Sequence, residues 1–138
     1  MRFTIVDAGP LVAFLNAADS HHLWASEQLT RLPSPLLTCE AVLTETCFLL
    51  ASRGGDPIDA FQLVARGALR LEFSLATELE PVRQLMHRYA VAGVSLADAC
   101  LVRMSEIHGE CRILTLDRDF LIYRRHGRRT IPLIAPFA

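Results

Sequence analysis

Apolar positions along this chain fall into two rhythms, short unbroken runs and longer stretches at helical spacing, and the two alternate from one end to the other. The run from Arg2 to Val6 predicts a strand, followed by a helix from Gly9 to Ala17 and a second helix from Ser20 toward Leu32, where Pro33 and Pro35 stop it. LLT (Leu36 to Thr38) reads as a short buried strand leading into a helix from Glu40 to Arg53, closed by Gly54 and Gly55. Asp56 and Pro57 make an N-cap and first-turn pair for a helix through Arg66. LRLEFS (Leu69 to Ser74) is a strand candidate, and Thr77 to Glu80 resembles a capping box for a helix to Tyr89. Ser95 to Asp98 resembles a second such start, with its helix reaching Ile107. CRILTLD (Cys111 to Asp117) is the clearest strand; a helical turn at Arg118 to Ile122 and a last strand near Thr130 to Ile134 follow. Strands separated by helices predict an α/β fold, a parallel sheet with helices on both faces, and such folds bind ligands beyond the carboxyl ends of their strands. Asp7 and Asp117 each stand at such an end.

The 138 residues are enough for one substantial core, so a single domain over 1–138 is expected. Hydrophobic residues make up 51% of them and the mean hydropathy is +0.29, which predicts apolar surface covered by another chain, as in a homodimer. No run approaches the roughly 20 apolar residues that span a bilayer, and Asp7 and Pro10 break the N-terminal stretch that imitates a signal peptide; a cytoplasmic protein is expected. Cys39, Cys47, Cys100 and Cys111 form no CxxC pair, so neither a zinc knuckle nor a redox pair is indicated, and buried free thiols in a reducing compartment are expected.

The net charge of -1 decides nothing about nucleic acid, but all 14 basic residues are arginine. The absence of lysine excludes P-loop, Schiff-base and lysine-assisted phosphotransfer chemistry. It also disfavours receiver-type and haloacid-dehalogenase-type domains, which likewise place aspartates at strand ends; the latter wants a second aspartate where this chain has Gly9.

Four acids sit in apolar settings. Around Glu45 the residues three and four positions away are Ala41, Val42, Phe48 and Leu49, which predicts that its helical face points inward. Asp98 has Val94, Ser95, Leu101 and Val102 at the same spacings, Asp7 follows Ile5 and Val6, and Asp117 follows Ile113 to Leu116. Each has a separate explanation: Asp7 as a helix cap, Asp98 as the acid of a capping box, Glu45 as an arginine partner, Asp117 and Asp119 as turn residues. Jointly the acids point to a shared cation, because like charges brought together out of water need one; hard oxygen ligands suit Mg²⁺ or Mn²⁺. Near the C-terminus, RDFLIYRRHGRR supplies Arg118, Arg124, Arg125, Arg128 and Arg129 around Tyr123 and His126. Arginine forks bind phosphate and aromatics stack on bases, so this segment is either an RNA-binding face, with Arg118, Arg124, Arg125 and Arg128 as contacts, or a solvated charged stretch. His21 and His22 are adjacent and point different ways on a helix, which argues against a metal pair.

The stretches IVDAGPLVAFLNAADSHHLWA, AVLTETCFLL, VSLADACLV and ILTLDRDF together resemble a PIN domain of the VapC toxin type over nearly the whole chain. The resemblance implies a three-layer α/β/α fold with a central, mostly parallel sheet of four or five strands. It implies an acidic metal site of Asp7, Glu45, Asp98 and Asp117, with Asp119 as a fifth acid. It further implies a Mg²⁺- or Mn²⁺-dependent endoribonuclease, typically homodimeric and held inactive by a co-expressed antitoxin. One departure is visible: many relatives have Ser or Thr after the first aspartate, where this chain has Ala8. The expected chemistry is metal-assisted hydrolysis leaving a 5′-phosphate and a 3′-hydroxyl; the alternative is a catalytically degenerate module that retains the fold for dimerisation or partner binding.

Overall fold

The computed structural model describes residues 2–138. Five parallel strands form one sheet in the order β3-β2-β1-β4-β7: β1 (Phe3–Val6), β2 (Leu36–Thr38), β3 (Leu69–Leu71), β4 (Cys111–Leu114) and β7 (Leu133–Ile134). The helices are α1 (Ala8–Leu15), α2 (His22–Arg31), α3 (Glu40–Ser52), α4 (Ile58–Ala65), α5 (Leu79–Arg88) and α6 (Leu96–Ile107). The arrangement is the expected α/β/α one. A 3-10 turn at Arg118–Leu121 and a small antiparallel hairpin, β5 (Arg124–Arg125) with β6 (Arg129–Thr130), lie between β4 and β7.

Central β1 is apolar on both faces because it is covered on both, and Ile5 and Val6 are inaccessible to solvent. It pairs with β2 through Ile5 and Leu37, and with β4 from Phe3 and Cys111 to Val6 and Leu114. Ile113, Leu114 and Leu101 extend the same core, where burying each such side chain is worth about 1.5–3 kcal/mol. A smaller cluster of Val12, Leu50 and Ala60 ties α1, α3 and α4 together.

The chain runs outward from β1 to β2 to β3, then crosses back to begin β4 on the other side of β1. That reversal leaves a crevice between the carboxyl ends of β1 and β4, where an open α/β sheet offers its binding site.

Several elements differ from expectation. β3 ends at Leu71 rather than Ser74. The capping box at Thr77 to Glu80 does not form: the Ser74 hydroxyl accepts the Thr77 N–H at 3.2 Å, and Glu78, which precedes α5, pairs with Arg103 of α6 at 2.8 Å. The expected last strand is divided between β6 and β7, and β4 stops three residues before Asp117. Among the described residues no helix is long and apolar enough to cross a membrane.

Candidate active site

Asp7 is the first residue beyond β1, and its N–H still donates to Leu114 of β4 at 3.0 Å, so the backbone there cannot wander. Its side chain is buried and caps α1, with Oδ1 accepting the Ala8 N–H at 2.7 Å. Oδ2 accepts from the Thr115 hydroxyl at 2.8 Å. Thr115 Oγ1 in turn accepts the Asp117 N–H at 2.9 Å, so one buried hydroxyl joins the acid at the end of β1 to the residue that caps the 3-10 turn. It also puts a hydroxyl on Asp7 from the neighbouring chain segment, where Ala8 supplies none.

Asp98 lies in the first turn of α6, its N–H capped by Ser95 Oγ at 3.0 Å. Its carboxyl also meets the Ser95 side chain, and Oδ2 accepts from the Tyr123 hydroxyl at 2.9 Å, in a wall where Tyr123 packs edge-on against Phe120 and Tyr89. Asp117 Oδ1 accepts the Asp119 N–H at 2.9 Å and so opens the 3-10 turn. Carboxylate oxygens of Asp98, Asp117 and Asp119 lie within 4.8 Å of one another. Asp7, Glu45, Asp98 and Asp117 line one cleft of about 480 Å³ with Gly9, Leu49, Leu116 and Arg118.

The electrostatics follow from that crowding. Burial, with the nearby charge of Asp98, pushes Asp7 up to about 7 despite hydrogen bonds from Thr115 and Ala8 that favour its ionised form. Burial likewise lifts Asp98 to about 6, opposed by the Tyr123 hydrogen bond and assisted by Asp117 and Glu45. Glu45 is raised by partial loss of water at the cleft and by the charge of Asp117. Among the described residues no arginine or histidine forms an ion pair with any of the five acids. Arg118 borders the cleft but sets its guanidinium over the Phe137 ring, 4.9 Å from the centroid. The cleft therefore gathers negative charge without a compensating side chain. Its donors are carboxylate oxygens, with neither His nor Cys in the lining, which fits Mg²⁺ or Mn²⁺ rather than zinc.

Glu45 differs from expectation. Its helical face is not buried in the core: Glu45 is exposed at the rim of the cleft, and Phe48 beside it is 70% exposed. Phe48 is an apolar side chain that this chain leaves uncovered, which explains why the pattern looked like a core face; on α4, Ile58 and Phe61, 55% and 53% exposed, line an open apolar cleft with Leu43 and Cys47 of α3.

The arginine segment is also corrected. Arg125 is buried, donating to the backbone carbonyls of Ser105 and Gly109 at the end of α6, so it is not free to meet RNA. Tyr123 is fully buried and cannot stack on a base. Arg124 Nη1 donates to the carbonyls of Leu121, Ile122 and Tyr123. Arg118 and Arg128 are exposed. Two structural partners of the site, Thr115 and Tyr123, were not assigned to it from sequence. A lone hydroxyl residue inside CRILTLD, two places before an acid, was the available signal for the first; nothing local marks the second.

A family model of the PIN domain matches residues 4–125. Ribonuclease VapC26 of Mycobacterium tuberculosis is 31% identical over 118 residues, covering 83% of this chain and 86% of its own. The crystal structure of VapC20 from the same organism, described as a toxin that cleaves the sarcin-ricin loop, superposes with a TM-score of 0.80 at 25% identity, over 91% of this chain and 98% of that one.

Proposed function

This chain belongs to the PIN-domain family, and from that premise we propose that it is an endoribonuclease that hydrolyses RNA phosphodiester bonds with Mg²⁺ or Mn²⁺, the toxin of a type II toxin-antitoxin pair. The observation that carries the proposal is the convergence of Asp7, Glu45, Asp98 and Asp117 on one cleft with no cationic side chain paired to them.

Asp7, Glu45, Asp98 and Asp117 would hold the cation from the cleft they line, with Asp119 as a fifth acid beside Asp98 and Asp117. When bound, the ion supplies positive charge at the scissile phosphate and acidifies water. The chain's own groups do the rest. Thr115 holds Asp7 and the Asp117 backbone in register. Tyr123 engages Asp98 Oδ2 and so fixes that carboxylate in the cleft wall. Asp7, its carboxyl raised by burial and by Asp98, ionises readily only when a cation offsets the neighbouring acids. No histidine lines the cleft to activate a ribose hydroxyl, which favours water as the nucleophile and a 5′-phosphate product.

Exposed Arg118 and Arg128, with Arg124 beside them, would meet the RNA backbone. The uncovered Phe48, Ile58 and Phe61 support burial against a partner chain, whether a second copy in a homodimer or the antitoxin, and a cytoplasmic location accords with an RNA target. The description of VapC20 makes the sarcin-ricin loop the first RNA to assay.

The test is cleavage of that RNA, and of total RNA, by purified protein with Mg²⁺, Mn²⁺ or EDTA. Asp7→Asn and Asp98→Asn are expected to abolish cleavage while keeping the fold, and EDTA to do the same to the parent protein. Full activity in EDTA or in either variant would falsify the proposal; calorimetry showing no divalent-ion binding would instead favour the non-catalytic module.

A further inference from the structure

β4 and β7 run parallel, with Leu114 opposite Ile134, so the segments that follow them leave the sheet at the same end. The first carries Asp117 and Arg118. The second turns at Ala135, whose carbonyl accepts the Ala138 N–H at 3.2 Å, and brings up the half-buried Phe137. There the Arg118 guanidinium lies over the Phe137 ring, 4.9 Å from its centroid. Charge alone would put it elsewhere. Arg118 borders the cleft that Asp7, Glu45, Asp98 and Asp117 line, yet among the described residues it joins no ion pair and donates no hydrogen bond. Other arginines nearby are taken up by the protein: Arg124 by the carbonyls of Leu121, Ile122 and Tyr123, and Arg125 by those of Ser105 and Gly109. An aromatic ring attracts a cation to its face, so it occupies one flat side of a guanidinium and leaves the N–H groups around the edge unengaged.

We propose that Phe137 is a positioning residue, which holds Arg118 at the mouth of the acidic cleft, off the carboxylates and with its N–H edge free for a phosphate of the RNA. Without the ring, the favoured place for this guanidinium is the cleft itself, where the acids lack a counter-charge and it would compete with a divalent ion. The contact therefore keeps two cations apart, the side chain at the mouth and the ion inside. Held there, the unengaged edge can donate to a phosphate oxygen beside the metal site. That role rests on the reading of the cleft as a metal-dependent nuclease site, and Phe137 acts in it only through Arg118.

The test is Mn²⁺ binding to the full chain by calorimetry, without RNA, in the parent, Phe137→Leu, Arg118→Ala and the double variant. Phe137→Leu is expected to bind Mn²⁺ about two- to fivefold more weakly, the size of an exposed cation–π contact, and Phe137→Tyr to bind as the parent does. In the Arg118→Ala background Phe137→Leu should change nothing, because no guanidinium remains to enter the cleft; a merely structural role would weaken binding in both backgrounds. Phe137→Met serves in place of Phe137→Leu if the latter does not fold. NMR of the parent, with no metal present, should show nuclear Overhauser contacts between the Phe137 ring and the Arg118 δ-methylene protons. Equal Mn²⁺ affinity in the parent and Phe137→Leu, an equal loss in the Arg118→Ala background, or no ring-to-Arg118 contact would each overturn the proposal and leave the nuclease reading standing. A parent that shows the contact but binds no Mn²⁺ would overturn the nuclease reading, and the positioning role with it.

Discussion

Thr115 Oγ1 serves two acids at once, donating to Asp7 Oδ2 and accepting from the Asp117 N–H. Thr115→Val keeps the shape and removes both bonds in a buried place, which should cost about 1–3 kcal/mol in urea denaturation. Thr115→Ser should recover most of it, and equal losses in the two variants would show that the methyl group, not the hydroxyl, matters. The arginines divide the same way, by what their nitrogens touch. Arg125→Met removes the buried clamp on the last turn of α6 and should lower the melting temperature; with the proposed RNA, its salt dependence of binding should match the parent's. Arg128→Ala should leave melting unchanged and, for a single-stranded segment, reduce the slope of log affinity against log salt by about 0.7. Unaltered binding in Arg128→Ala would remove that side chain from the interface.

Among the elements, α6 bears most on the site, since its first turn carries Asp98 and its start is pinned by Ser95. Ser95→Ala leaves the Asp98 N–H without its partner and should cost about 1 kcal/mol by chemical denaturation, whereas Ser95→Asp should restore the cap. This cap was legible in the sequence because an N-cap acts over three residues, as were the limits of β2 and, to within a residue, those of α3. What escaped the sequence depended on partners far along the chain. Thr77 looked like a cap until Ser74 took its N–H and Glu78 turned to Arg103. Glu45 looked buried because periodicity finds an apolar face without revealing what covers it, and here Phe48 remains in the open. The four expected acids could be named because each interrupts an apolar setting. Tyr123 could not be tied to Asp98, since a tyrosine in a run of arginines carries no local sign of which carboxylate it will meet.

For the molecule as a whole, bringing these acids together without a cation has a thermodynamic sign. The Asp7 carboxyl is raised from 3.8 to about 7 and Asp98 from 3.8 to about 6, with Glu45 shifted the same way. Between about pH 4 and 7 the folded chain therefore binds more protons than the unfolded one, and stability must fall as pH rises through that window. The contribution is complete below the unfolded values and lost once pH passes the folded ones. A divalent ion that binds only the folded, ionised cleft offsets the loss, so its stabilisation should be larger where the carboxyls have already ionised. Thermal melts at pH 5 and pH 8, each with EDTA or with excess Mg²⁺, test the two effects together. In EDTA the parent should lose more stability between these pH values than Asp7→Asn, which has neither the buried acid nor its repulsion of Asp98. In Mg²⁺ the parent's gain should be greater at pH 8 than at pH 5, and small in the variant. Identical pH slopes for parent and variant in EDTA would mean that Asp7 is not held neutral by its surroundings. A gain from Mg²⁺ of the same size in Asp7→Asn would place the ion somewhere other than this cleft.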